Sequence, residues 1–170
     1  MSRTYNVLFL CTGNSARSVI GEVLMNKLGE GRFRAYSAGS YPKGEVHPRA
    51  LALLRELHFP TDGLRSKSWD EFVMPGAPKM DFIFTVCDNA AEEQCPVWPG
   101  HPVTAHWGIE DPAAADEAHQ RQAFKTALTY LRARIALFLA LPLAAIDEMA
   151  TREELRRIGR IEGATGHADA

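Results

Sequence analysis

The 170 residues carry 19 Lys and Arg against 21 Asp and Glu, a net charge of −2 with no long basic run, so a nucleic-acid partner is not expected. The length suits one domain with an adequate core, and the longest apolar stretch, Ile135 to Ile146, is too short for a bilayer span and contains Pro142. Three cysteines, an odd number, build no disulfide framework, and no charged leader precedes an apolar core; the expectation is a cytoplasmic, monomeric chain with reactive thiols.

Tyr5 to Leu10 is expected as a buried strand and Val19 to Leu28 as a helix. Between them runs Cys11-Thr12-Gly13-Asn14-Ser15-Ala16-Arg17-Ser18, a nucleophile and a fixed cation separated by small residues at a helix N-terminus. Gly13 is expected to supply a positive φ, and the amides of this loop would converge on one point as an anion nest. Arg17 offers a planar fork for two oxygens of a tetrahedral anion. Cys11, beneath those donors, is expected to have a thiol pKa below the free value of about 8.5, with the Ser18 hydroxyl donating to the thiolate.

Phe33 to Ser37 reads as the second strand, and Pro48 opens a helix through Leu51, Leu54 and Leu57. Phe82 to Val86 and, more weakly, Val103 to Trp107 read as further strands. Phe124, Leu128, Leu131, Ile135 and Phe138 mark one face of a long helix stopped by Pro142. This alternation implies a parallel sheet covered on both faces, whose ligands bind at the carboxyl ends of the strands. The expected division is a single catalytic domain over residues 1–145 and, over 146–170, a short charged helix and small-residue tail to which no function is assigned.

Cys87 ends the third strand and so falls on the same sheet edge as Cys11. Cys95 follows after a segment of helix-forming character, and eight helical steps would separate the two by roughly 12 Å. A disulfide needs Cα atoms within about 7 Å, so bonding would require unwinding, which makes the segment a candidate redox switch. Zinc held by Cys87, Cys95, His101 and His106 competes, but seven residues between the cysteines make a poor zinc knuckle. Two inert core cysteines are the other alternative. Asp111-Pro112, past the last strand, reads either as a carboxylic acid over the cradle or as a helix-initiating cap.

Taken together, Cys11 to Ser18, Ser37-Ala38-Gly39, Thr85-Val86-Cys87, Cys95-Pro96 and His106-Trp107-Gly108-Ile109-Glu110-Asp111-Pro112 resemble the arsenate reductases built on the low-molecular-weight tyrosine phosphatase fold. The resemblance spans residues 4 to about 140 and implies a four-stranded parallel sheet with helices on both sides. It implies arsenate held by Thr12 to Ser18, attack by Cys11, protonation of the leaving oxygen by Asp111, and resolution by Cys87 and then Cys95. Thioredoxin, or a glutaredoxin and glutathione system, would regenerate the thiols, and the role would be arsenical resistance. Asn14, Glu22, Ser37 and Asp70 match positions where some relatives bind a monovalent cation such as potassium; a polar loop network explains the same residues. Ala16 stands where many relatives carry another cysteine, and the interval from Cys87 to Cys95 is slightly longer than theirs. The two other readings are a phosphatase acting on phosphate monoesters, which would favour an aromatic after Asp111-Pro112 where Ala113-Ala114-Ala115 follows, and a non-catalytic oxyanion-binding protein.

Overall fold

The computed structural model describes residues 3–88, 90 and 98–165. Four strands, β1 (Tyr5–Leu10), β2 (Phe33–Ala38), β3 (Phe82–Thr85) and β4 (Val103–His106), form one parallel sheet in the order β2-β1-β3-β4. β1 is central, and Val7 to Leu10 are all buried, as a strand covered on both faces requires. Its last residue, Leu10, pairs with Ala38 on one side and Thr85 on the other, which aligns the carboxyl ends of three strands; Thr85 pairs in turn with His106.

Among the described residues the helices are α1 (Arg17–Leu28), α2 (Pro48–Glu56), α3 (Glu117–Leu139) and α4 (Glu148–Gly159). α3 starts before its apolar face does, because Asp116 caps it by accepting from the His119 N–H at 3.1 Å. One sheet face buries Val7, Phe9 and Phe84 against Ile20, Leu54, Phe124, Leu131 and Phe138. Phe84 stacks on Trp107 with ring centroids 3.7 Å apart, and Phe138 meets both edge-on. On the opposite face Leu8, Leu10 and Ile83 pack with Met80 and with Phe72 of a 3-10 turn, Trp69–Phe72.

α1 crosses β1 closely: a Cβ on Gly21 would lie 2.8 Å from the Phe9 ring. α4 packs at the β4 edge of the sheet, where the Trp107 indole N–H donates to the Leu155 carbonyl at 3.0 Å and Leu155 is fully buried. Among the described residues no helix is long and apolar enough to cross a membrane.

Candidate active site

Residues 11–17 leave β1 and enter α1 around a cavity of about 250 Å³, which Tyr41, Lys43, Cys87, Asp111 and Ala113 complete. The carbonyls of Thr12, Gly13 and Ser15 accept from the backbone N–H groups of Tyr41, Lys43 and His47 at 2.8–3.0 Å. A trans peptide points its C=O and N–H in opposite directions, so the amides of Gly13, Asn14 and Ala16 are turned away from those neighbours and toward the cradle. α1 has Ala16 as its N-cap, no side chain bonded to its first amides and no acidic residue in its first turn. An anion is the natural partner of such a terminus.

The left-handed residue of the loop is Asn14, with φ of 43°, rather than Gly13 as the sequence suggested. Its side chain explains the substitution of roles: Nδ2 donates to Ser18 Oγ at 2.8 Å, and Oδ1 accepts from the Lys67 N–H at 2.9 Å. Ser18 is thereby tied to Asn14 and makes no hydrogen bond to Cys11 among the described residues. Gly39, at the end of β2, is required by close approach, since a Cβ there would lie 2.5 Å from the Cys11 carbonyl oxygen.

Arg17 is braced by donation from Nη1 to the Ile109 carbonyl at 2.9 Å, and its Nη2 lies 3.7 Å from Asp111 Oδ2. Its buried Nε has no partner among the described residues, leaving a donor for a bound oxyanion. Asp111 caps a turn with one carboxylate oxygen and turns the other toward Arg17. Oδ1 accepts from the Ala113 N–H at 3.0 Å as the cap of a 3-10 turn, Pro112–Ala114, while Oδ2 faces Arg17 with the side chain 41% exposed.

Cys87 is brought beside Cys11, as expected from the adjacency of β1 and β3. The Thr12 N–H donates to Cys87 Sγ at 3.4 Å, so this amide serves the second sulfur. The charge is distributed differently from the sequence-based expectation. The Cys11 pKa is raised, first by its hydrogen bond to Cys87 and then by burial. Cys87 is pushed down to about 5 by that same bond, against the opposing effect of burial, with help from the N–H groups of Thr12 and Ala90 and from the Arg17 charge. The two sulfurs therefore titrate as a coupled pair, with opposite shifts from one shared hydrogen bond. Cys95 lies outside the described residues, as does most of the segment leading to it.

Of the residues matched to a cation site, Ser37 Oγ donates to Glu22 Oε1 at 2.7 Å, and the buried Lys67 ammonium lies 3.6 Å from the same oxygen. Burial holds the Lys67 pKa below its ordinary value against the pull of Glu22. Asp70 is exposed on the Trp69–Phe72 turn. Among the described residues no three His, Cys, Asp or Glu side chains cluster so as to hold a metal ion. His106 has its ring nitrogens bonded to Thr85 Oγ1 and Asp88 Oδ1. Lys43, Tyr41 and Lys67 were not singled out from sequence; the cradle-to-loop pairing that brings Tyr41 and Lys43 to it leaves no local pattern.

Residues 6–151 match the family described as low molecular weight phosphotyrosine protein phosphatase. A curated relative, an arsenate reductase of Oceanobacillus iheyensis, is 34% identical over 116 residues, which is 68% of this chain and 80% of that one. The crystal structure of an arsenate reductase from Archaeoglobus fulgidus superposes with a TM-score of 0.58 at 31% identity, over 76% of this chain and 98% of its own. A low molecular weight protein tyrosine phosphatase from T. tengcongensis shares the fold, with a TM-score of 0.58 at 20% identity, over 75% of this chain and 95% of its own.

Proposed function

Because the chain belongs to the low molecular weight phosphotyrosine protein phosphatase family, whose cradle it carries on Cys11 and Arg17, we propose that it is an arsenate reductase working by a thiol relay. The observation that carries this reading is the second sulfur: Cys87 Sγ, accepting from the Thr12 amide, sits in the wall of the cradle beside Cys11. Ester hydrolysis needs only one nucleophile and water, whereas removing two electrons from two thiols needs a second sulfur at bonding distance. The relatives named arsenate reductase support the same choice.

Arsenate enters the cradle with its oxygens on the loop amides and the Arg17 fork. Cys87 takes the Cys11 proton, Cys11 attacks arsenic, and Asp111 donates a proton so that one oxygen leaves as water. Cys87 then attacks Cys11 Sγ and passes its proton to an arsenate oxygen. The S–As bond breaks with its electron pair remaining on arsenic, so arsenic(V) leaves as arsenite and a Cys11–Cys87 disulfide remains. Cys95 next attacks Cys87 Sγ, freeing Cys11, and an external dithiol reduces the Cys87–Cys95 bond. Thioredoxin is that reductant in this reading, with glutaredoxin and glutathione the alternative, and a cytoplasmic location follows from either. No step is routed through a potassium ion, because Glu22 already faces the Lys67 ammonium.

One feature favours phosphate-ester hydrolysis as a second reading: Tyr41, 77% exposed, borders the cradle and offers a ring face to an aryl substrate. Two assays separate them. Arsenate-dependent NADPH oxidation through thioredoxin and its reductase is expected from the wild type and lost in Cys87→Ser, while Cys87→Ser keeps a slowed aryl-phosphate hydrolysis, since it loses the acceptor of the Cys11 proton but not the nucleophile. Brisk ester hydrolysis with no arsenate-dependent oxidation would leave the phosphatase reading in its place.

A further inference from the structure

The residue next to Cys87 is the centre of a polar node that the reaction above does not use. Asp88 Oδ1 accepts from two donors, His106 Nε2 at 2.8 Å and Thr165 Oγ1 at 2.5 Å. His106 is itself fixed, because its Nδ1 lies 2.7 Å from Thr85 Oγ1 while its Nε2 faces Asp88. Space at the node is reserved for these groups: a Cβ on Gly108 would fall 2.5 Å from Thr165 Oγ1 and 2.7 Å from Asp88 Oδ1.

Thr165 reaches the node on a strap tied at several points. The Thr165 N–H donates to the Gly108 carbonyl at 3.2 Å, and Ala164 pairs antiparallel with Ile109. Arg134, fully buried on α3, donates to the carbonyls of Ile161 and Glu162 at 3.2 and 3.3 Å. Gly163 makes the turn between them with φ of 94°. Ile109 is also the residue whose carbonyl braces Arg17, so the strap lies along the rim of the cradle. Thr165 lies beyond residues 6–151, the part that matches the family.

We propose that residues 161–165 are a latch which, through Thr165 and together with His106, grips Asp88 and so holds the adjoining Cys87 sulfur against the cradle. Asp88, His106 and Thr165 are then positioning residues for the second thiol, and they touch neither the oxyanion nor Cys11. The proposal rests on the reading that Cys87 resolves the adduct, but the latch has a signature that needs no arsenate. Cys87 is 3% exposed, and loosening its neighbour's anchor raises the fraction of time its thiolate is open to solvent.

The test is alkylation of the full reduced chain by iodoacetamide, with each cysteine followed by peptide mass mapping. Thr165→Val, which keeps the shape and removes the donor, should speed Cys87 alkylation by about tenfold, the change expected from one lost charge-assisted hydrogen bond. Asp88→Ala, which loses the bonds to both Thr165 and His106, should speed it by more. Thr165→Ser should behave as wild type, and phosphate should protect Cys11 at the same concentration in every variant. With one equivalent of arsenate, Thr165→Val should form the Cys11–Cys87 disulfide about tenfold more slowly, since sulfur must be presented in line to attack sulfur. Unchanged Cys87 alkylation in Thr165→Val overturns the latch, as does a parallel loss of phosphate protection at Cys11, which would signify general loosening. A wild type that makes no arsenite would remove the proposed function while the alkylation series still decides the latch.

Discussion

Two coupled sulfurs whose pKa values are shifted in opposite directions give stability a pH dependence with a maximum. Cys87 has a folded pKa of about 5 against an unfolded value of about 8.5, so between those values the unfolded chain binds more protons and stability rises with pH. That contribution is complete above the unfolded value and is lost as pH falls through about 5. Cys11 works the other way: its raised pKa keeps a proton that the unfolded chain has lost, so stability falls as pH climbs past the ordinary thiol range. Denaturant unfolding of the reduced protein should therefore show the wild type gaining over Cys11→Ala from about pH 5 to about pH 8.5 and losing that gain above it. In Cys11→Ala the Cys87 thiolate, followed by its ultraviolet absorbance, should titrate well above its wild-type position. A Cys87 titration unmoved by Cys11→Ala would mean that the pair is not coupled. None of this division was legible in the sequence. The Cys11-to-Arg17 spacing announces an oxyanion cradle because it is local, but the bond that depresses Cys87 joins groups far apart in the chain.

At the scale of elements, the cradle is a strand end, a helix start and the turn that lets them approach. Strand limits were readable almost to the residue, because four runs of apolar and β-branched residues are bounded by glycine, proline and polar turns. The helix starts were less so: α3 begins at the Asp116 cap, several residues before its first buried side chain. Gly39 shows what pattern reading misses. Its N–H and C=O bridge to Lys67 and Trp69 while its missing Cβ leaves room for the Cys11 and Thr12 carbonyls. Backbone atoms cannot swing aside as a flexible side chain can, so Gly39→Ala must displace the loop itself. The expected outcome is a loss of about 2–3 kcal/mol in denaturant unfolding, the upper part of the usual range for overpacking, because the clash is with backbone. Weakened phosphate protection of Cys11 should accompany it. Gly13→Ala is the contrast, because its Cβ would meet only the Lys43 methylenes at 3.2 Å or more, and those can shift. Equal effects from the two would show that the cradle tolerates the turn.

Across the whole molecule, the C-terminal helix bears on one edge of the sheet and the anion cradle opens at another part of it, which lets stability and binding be separated. α4 contributes Leu155 and Ile158 to the main core, and the Leu155 carbonyl receives the indole proton of Trp107, which stacks on Phe84 of β3. The composition of residues 148–159 shows a charged helix with apolar positions at Leu155 and Ile158, but not where that stripe would bind, because its partner Trp107 belongs to the far end of β4. Leu155→Ala leaves a cavity under Trp107, and a fully buried leucine truncated in this way costs about 3 kcal/mol. For a chain of this length that corresponds to a melting temperature lower by about 10 °C. The anion-binding loop, residues 11–17, runs between β1 and α1, whereas α4 packs on β4 and α3, so phosphate protection of Cys11 at temperatures below the transition should match the wild type. Trp107 fluorescence should shift as its surroundings loosen, giving a local report alongside the global one. A melting temperature changed by less than about 2 °C would mean that α4 adds little to the core. A large fall in phosphate affinity at low temperature would instead mean that the helix holds the cradle as well as the sheet edge.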